Sequence, residues 1–254
     1  MIYGLYLSAT GVITNAYRQD LIANNLANSE TVGFKRDLAT FYQRPTADHE
    51  NSTPLGMSNE MLDHLGGGAL ASPTMIDTTE GPLESTGKPL DLAIDGNGYF
   101  TVADSDGTQR LTRDGRFRLD KDGHLTLRTA GNNPVLDAQG NPITLDPTIP
   151  TEISRDGEIS QGGQVVARLG FLDAADPGQL KKEGGLLISY PKNATLNPAN
   201  GTIVAGELED SNVDAATELS DLMETQRELE ANANMIHYQD ETLGDLVNTV
   251  GKVT

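Results

Sequence analysis

Residues 214–250 read DAATELSDLMETQRELEANANMIHYQDETLGDLVNTV, and the spacing of their apolar side chains decides what kind of chain this is. Leu222, Leu229, Ile236, Leu243 and Val250 fall on successive sevens, with Leu219, Gln226, Ala233, Asp240 and Val247 interleaved. This repeat predicts one continuous helix with a single apolar stripe, on the order of 55 Å long at about 1.5 Å per residue. Ser211 or Asp214 is placed to cap its start, and Glu218, Glu224, Glu228 and Glu230 suit the early exposed face. Gln226 and Asp240 are polar seam positions, which fix register at some cost in stability. A rod of this length cannot bury its stripe alone.

The opposite terminus repeats the pattern over residues 2–28. Ile2, Ala9, Ala16 and Ala23 share one row, and Leu5, Val12, Gln19 and Leu26 the next, a narrow small-residue stripe on a helix of roughly 40 Å. Asn24, Asn25 and Asn28 crowd its end and Gly33 follows, which predicts termination there. Two such stripes either pack inside the chain as ordinary core helices or pair between chains. Small residues and placement at opposite ends favour a coiled coil built on assembly, where each buried Leu contributes roughly 1.5–3 kcal/mol.

Between the helices the pattern changes twice. Residues 44–89 carry Pro45, Pro54, Pro73, Pro82 and Pro89 with Gly66-Gly67-Gly68, and read as extended linker. From residue 90 the period becomes two, in Leu90/Leu92/Ile94, Phe100/Val102, Phe117/Leu119 and Leu125/Leu127. Asp95-Gly96, Asn97-Gly98, Asp106-Gly107, Asp114-Gly115, Asp122-Gly123 and Asp156-Gly157 are dipeptides that accept positive φ in tight turns. Val165–Phe171 and Leu186–Tyr190 read as further strands. The fold class is therefore α+β, mainly β. Its expected parts are an N-terminal helix and motif (1–43), a linker (44–89), a central antiparallel β domain (90–200) inserted between the helices, and a C-terminal helix (201–254) pairing with the N-terminal one.

Composition narrows the function. The chain has 254 residues, with 37 acidic against 18 basic side chains and a formal charge of −19. That disfavours nucleic acid and anionic lipid, whose binding needs clustered Lys and Arg. A 5% aromatic content without Trp is lean for a compact enzyme, so other subunits are expected to complete part of the core. The absence of Cys removes disulfides, thiolate metal sites and a cysteine nucleophile. His49, His64, His124 and His237 are scattered, and no metal site is expected. The start, MIYGL, lacks the basic and long apolar run of a cleaved signal, and no long apolar stretch predicts membrane insertion.

Motifs with chemical meaning fail on inspection. Aligning Gly107 or Gly123 at the sixth position of a calcium loop puts Val102 or Arg118 where an acid is needed. Gly81 to Gly87-Lys88 is one residue too long for a phosphate loop, with Pro89 where Ser or Thr belongs. Gly96-x-Gly98-x-x-Thr101 lacks its third glycine, and no Gly-x-Ser-x-Gly turn is present. Asn51, Asn193 and Asn200 sit in glycosylation acceptor triplets that occur often by chance. No catalytic residue and no cofactor are expected.

Three motifs carry a resemblance. Gln19 to Asn28 (QDLIANNLAN), followed by Thr31-Val32-Gly33-Phe34-Lys35-Arg36, resembles the N-terminal signature of bacterial flagellar rod and hook proteins. Thr86 to Ile94, Gly98-Tyr99-Phe100 and Thr112-Arg113-Asp114-Gly115 are similar to that family's central domain. Ser211-Asn212-Val213-Asp214 and Gln226 to Asn232 (QRELEAN) resemble its C-terminal helix. The resemblance implies a non-enzymatic axial subunit, exported unfolded by the flagellar type III apparatus and placed in the periplasm-spanning rod of the basal body. Implied partners are copies of itself, other rod and hook subunits, the export apparatus and the outer-ring bushing proteins. It marks Asn24, Asn25, Asn28, Gly33, Phe34, Lys35, Asn212, Val213, Gln226 and Arg227 as family-motif residues. The helical stripes mark Ile2, Leu5, Val12, Ala16, Leu26, Leu219, Leu222, Leu229, Ile236, Leu243 and Val250 as the assembly interface. The 31–36 and 226–232 runs lean toward the distal rod protein. Asn133 to Leu136 leading to Gly140 to Leu145 leans toward the proximal one. The rival from another class is a secreted acidic, calcium-binding β adhesin.

Overall fold

Among the described residues, two α-helices and many short strands divide between two units. The computed structural model describes residues 2–43, 68–129, 131–184 and 186–250, and within them the side chains of residues 4–249. The helical unit comprises Met1–Leu26, Leu38–Thr74 and Ala215–Thr254, and the β unit comprises Ala27–Asp37 and Met75–Asp214. The class is α+β, mainly β, with helices at both termini.

In the helical unit, α1 spans Ile2–Ala27 and α2 spans Ala215–Val250. Asp214 stands immediately before α2, whereas the Ser211 hydroxyl accepts the N–H of Val213 at 3.3 Å. Phe41–Gln43 pairs antiparallel with Ala69–Ala71, and Tyr17 of α1 meets Phe41 edge to face at 6.5 Å. Of the segment read as linker, residues 44–67 lie outside the described residues. Beyond them Ala69–Ala71 and Leu83–Ser85 are paired strands.

The β unit is built on a six-stranded antiparallel sheet. Its order is Lys181–Lys182, Ile188–Ser189, Gln109–Thr112, Tyr99–Ala103, Phe171–Ala174, Leu196–Pro198. Thr202–Ala205 pairs with Leu92–Asp95, and Glu207–Glu209 with Leu83–Ser85, so the chain entering α2 is knitted to the start of the β unit. Side chains of these strands and of Phe117–Leu119, Leu125–Leu127 and Glu158–Gln161 form a core, among them Leu92, Ile94, Phe100, Val102, Leu125, Leu127, Ile159 and Ile203, with Phe100 and Phe117 edge to face at 5.2 Å.

Two local expectations change. Val165–Phe171 is not one strand but Gln164–Arg168 and Phe171–Ala174, because Gly170 between them lies against Thr101, where a Cβ would sit 2.0 Å from Oγ1. Likewise, Gly115 does not serve a positive-φ turn. A Cβ there would fall 1.6 Å from the Leu92 carbonyl oxygen, so its glycine is required by close backbone approach. At the other expected turns, Gly96, Gly98, Gly107, Gly123 and Gly157 do adopt positive φ, between 75° and 139°.

Candidate functional site

Lys35 belongs to the 31–36 motif, and an ammonium placed there must find an acid or be expelled. It is buried completely, and its Nζ lies 2.6 Å from Glu209 Oε1 and donates to the Thr79 carbonyl at 2.6 Å. Arg113 approaches the other carboxylate oxygen, NH1 to Oε2 at 2.8 Å, while NH1 also donates to the Ile94 carbonyl at 3.2 Å and NH2 to that of Gly96 at 2.7 Å. Glu209 thus takes two cations in a site where all three side chains are at most 2% exposed. Its Oε1 also accepts the N–H of Gly81 at 3.0 Å, and its backbone carbonyl accepts that of Gly33 at 2.7 Å. The Arg113 guanidinium lies 5.3 Å from the Tyr99 ring centroid.

This triad joins stretches far apart in sequence: residues 33–36, 79–81, 94–96, 113 and 209. Removal from water lowers the Lys35 pKa below the ordinary lysine value, against the opposing pull of Glu209. Burial also pushes the Tyr99 hydroxyl up to about 12. Neighbouring groups extend the clasp. Asn212 Oδ1 accepts the N–H of Arg36 at 2.7 Å, and its Nδ2 donates to the carbonyls of Asp77 and Thr79 at 3.2 and 3.0 Å. The Lys182 ammonium sits 3.7 Å from the Phe34 ring centroid and 2.8 Å from Asp37. Gly33 has φ +71°, and a Cβ there would meet the Asp114 nitrogen at 2.5 Å. Phe34 and Val213 are buried, and Asn28 Oδ1 accepts the Thr31 hydroxyl at 3.2 Å. The motif residues Gly33, Phe34, Lys35, Asn212 and Val213 therefore share one construction within the β unit. Glu209, Thr79 and Lys182 complete it without any periodicity to announce them.

Within the chain the two helices meet along a polar row. The row facing α1 is Glu218, Thr225, Asn232 and Gln239, whereas Gln226, Ala233, Asp240 and, at 49% exposure, Leu219 point outward. On α1 the facing row is Gly4, Gly11, Arg18 and Asn25. A Cβ on Gly4 would meet Gln239 Nε2 at 2.8 Å, and one on Gly11 would meet Asn232 Nδ2 at 2.8 Å. Asn25, buried, donates to Glu218 Oε2 at 3.5 Å. Each step moves seven residues up one helix and seven down the other, the register of an antiparallel pair. Arg18 and Glu228 approach to 3.8 Å, half-exposed, a contact of little energetic weight.

The predicted interface residues Leu222, Leu229, Ile236 and Leu243 are half-buried beside this polar row, as are Leu5, Val12 and Leu26 on α1, whereas Ala16, also half-buried, lies on the far side of α1. The side chains of Ile2 and Val250 lie outside the described ones. Asn24 and Arg227 are exposed, and Gln226 bonds along its own helix to Glu230 at 3.3 Å.

Among the described residues, no three His, Asp or Glu side chains gather as a metal site, and no helix is long and apolar enough to cross a membrane. The Asp-rich turns are occupied by their own backbone. Asp137 and Asp146, for example, accept N–H groups from Gln139 and Asn141, and from Thr148. What the arrangement can do is mechanical: the triad ties distant stretches of the β unit together, and the helical unit presents two long helices.

Comparison with known proteins agrees. Residues 5–35 match the family described as flagella basal body rod protein. Residues 93–167 match the flagellar hook protein FlgE/F/G D1 domain, and residues 204–249 the flagellar basal body rod FlgEFG protein C-terminal region. The chain is 33% identical over 254 residues to the flagellar basal-body rod protein FlgF of Caulobacter vibrioides, covering 98% of each. It is 34% identical over 269 residues to the flagellar basal-body rod protein FlgG of Bacillus subtilis, covering 98% of this chain and 99% of that one. The flagellar hook-basal body complex protein FlhP of Bacillus subtilis is 30% identical over 271 residues, covering 96% of this chain and 98% of that one.

Proposed function

The chain belongs to the flagellar basal-body rod protein family, and on that premise we propose that it transmits torque as a self-assembling axial subunit of the rod. It is a structural protein and not an enzyme, its place is the basal-body rod, and its partners are other rod and hook components. The observation that carries the mechanical reading is the pair of terminal helices. Their mutual seam is largely polar, and much of their apolar surface points outward. Neighbouring subunits cover that surface, and a heterologous contact that does not close extends into a tube. The β unit, braced internally by Glu209, forms the outer face of the rod. Stiffness comes from helices locked between neighbours.

Assembly through Ile2, Leu5, Val12, Ala16, Leu26, Leu219, Leu222, Leu229, Ile236, Leu243 and Val250 is the residue-level form of this reading. Leu229→Asp places a charge on the stripe and abolishes rod assembly while leaving the β unit folded. Wild-type assembly of that variant removes the coiled-coil mechanism. Export through the type III apparatus and passage through the outer-ring bushing complete the set of partners.

Within the rod, the Thr31–Arg36 and Gln226–Asn232 runs support the distal segment. The Asn133–Leu145 run supports a proximal position as the second reading. Quantitative mass spectrometry of purified hook–basal bodies separates them, a high copy number relative to the other rod subunits marking the distal segment and a low one the proximal.

A further inference from the structure

Asparagine followed by glycine occurs twice in the chain, at Asn97-Gly98 and Asn200-Gly201, and the β unit brings the two pairs to one corner. Both asparagines are exposed. A glycine carries no side chain to block approach of its nitrogen to the preceding side-chain amide, so such pairs are where an asparagine closes on its own backbone. The fold treats the two pairs differently. Gly201 donates its N–H to the Asn97 carbonyl at 3.2 Å, whereas among the described residues no acceptor takes the N–H of Gly98. Asn97 and Gly98 also line a cavity of about 210 Å³, with Thr78, Tyr99 and Asp173 on its other walls, which leaves room for water beside the reactive atoms. Asn200 does not border it. Glycine is required at 98, where φ is +139° and a Cβ would stand 2.4 Å from the Phe171 ring.

We propose that Asn97 is a site of spontaneous deamidation and that Asn200 is protected from it. The Gly98 nitrogen attacks Asn97 Cγ and gives up its proton to solvent. The bond from Cγ to the side-chain nitrogen breaks, ammonia leaves, and a cyclic imide closes. Water then opens the ring, to aspartate when the backbone nitrogen is released from Cγ and to isoaspartate when it is released from the main-chain carbonyl carbon. In sum, an amide and water become a carboxylic acid and ammonia, with no other reactant. The new carboxylate joins Asp95, Asp173 and Glu80, whose Oε1 accepts the Gly96 N–H, in a chain already at −19. Isoaspartate also lengthens the main chain by a carbon next to Gly96, whose carbonyl holds Arg113 at 2.7 Å, so the change reaches the Glu209 triad. The chemistry is independent of the rod reading above.

The full chain, incubated at mildly alkaline pH with and without urea, then digested and mapped by mass spectrometry, reports both sites at once. A hydrogen bond of ordinary net strength holds back the reactive population about fivefold. In the folded chain the Asn97 peptide is therefore expected to gain the mass of an NH₂-to-OH exchange about fivefold faster, or more, than the Asn200 peptide, and in urea the two are expected to react at similar rates. Electron-transfer fragmentation is expected to show isoaspartate at 97. Equal rates in the folded chain, or a faster Asn200, overturn the proposal. So does an Asn97 peptide that stays unmodified in the folded chain while it reacts in urea. Asn97→Ser supplies a second check, because it keeps the carbonyl that takes the Gly201 N–H. Asn200 is expected to stay slow in that variant, and a rise to its rate in urea overturns the protection assigned to this bond.

Discussion

Glu209→Gln should unfold the β unit far more readily than its single-atom change suggests. The carboxylate holds Lys35 and Arg113 at 2.6 and 2.8 Å, with all three side chains shielded from water. An amide in its place keeps one acceptor for Lys35 but turns an N–H₂ group toward Arg113, so donor faces donor. Two buried cations then remain without a counter-charge, a situation that costs about 3–5 kcal/mol. For a unit of this size, 1 kcal/mol corresponds to about 2–4 °C in Tm, so the expected loss is about 6–20 °C. Lys35→Met is the informative contrast. It leaves the Arg113–Glu209 pair intact and removes an ammonium whose lowered pKa already records its desolvation cost, so its effect should be less than half as large. Urea unfolding followed by far-UV circular dichroism and tyrosine fluorescence gives both values. The reasoning is refuted if Glu209→Gln lies within about 1 kcal/mol of wild type, below the cost of exposing even one unpaired buried charge, or if Lys35→Met is the more damaging change.

Other outcomes follow from single sites. Gly33→Ala forces φ +71° on a residue with a Cβ and drives that atom into the 113–114 backbone, so a loss above about 2 kcal/mol in β-unit stability is expected by urea unfolding; a neutral result removes the close-approach argument. Burial holds Tyr99 near 12, against an ordinary 10.0, so the folded state keeps its proton longer than the unfolded state, and its contribution to stability is lost as pH rises from about 10 to 12. Lys35 works in the opposite sense: with a folded pKa below 10.5, its burial penalty is relieved as pH climbs toward that value. An ultraviolet phenolate titration should show Tyr99 ionising last, after Tyr190, which burial also raises, and a single common transition in the folded chain would contradict it. In acid, the Thr148 hydroxyl and N–H hold Asp146 below the ordinary 3.8, so that its contribution is present above 3.8 and lost as pH falls through the lowered value. Thr148→Ala should move the Asp146 titration back toward 3.8 by NMR, and an unmoved titration would assign the shift elsewhere.

Sequence periodicity reached both helices because long apolar repeats are a one-dimensional property, and the Leu222–Leu243 row is half-buried beside the seam. It missed the row beside it. Glu218, Thr225, Asn232 and Gln239 are polar, and counting apolar positions passes over them in favour of Leu219 and Ala233, which face outward. Gly4 and Gly11 gave no signal either, since their role is to leave room for amides carried by the other helix. The family motif pointed to Lys35 and Asn212 but not to the partner that makes Lys35 tolerable. Glu209 is one of 37 acids, and only the pairing of Leu83–Ser85 with Glu207–Glu209 brings it under Lys35 and Arg113. Gly115 shows the same limit. Asp-Gly reads as a turn from local chemistry, yet it is the Leu92 carbonyl, a neighbour through the fold, that requires glycine there.

The decisive measurement is electron cryomicroscopy of hook–basal bodies purified from the organism that carries this chain, at a resolution that distinguishes side chains. The expected density places α1 and α2 of successive copies in the wall of the rod, with the Gly4–Gln239 and Gly11–Asn232 contacts inside each chain and the β unit outward. Rod density that follows other sequences throughout, with no position that fits this chain, would contradict the assignment.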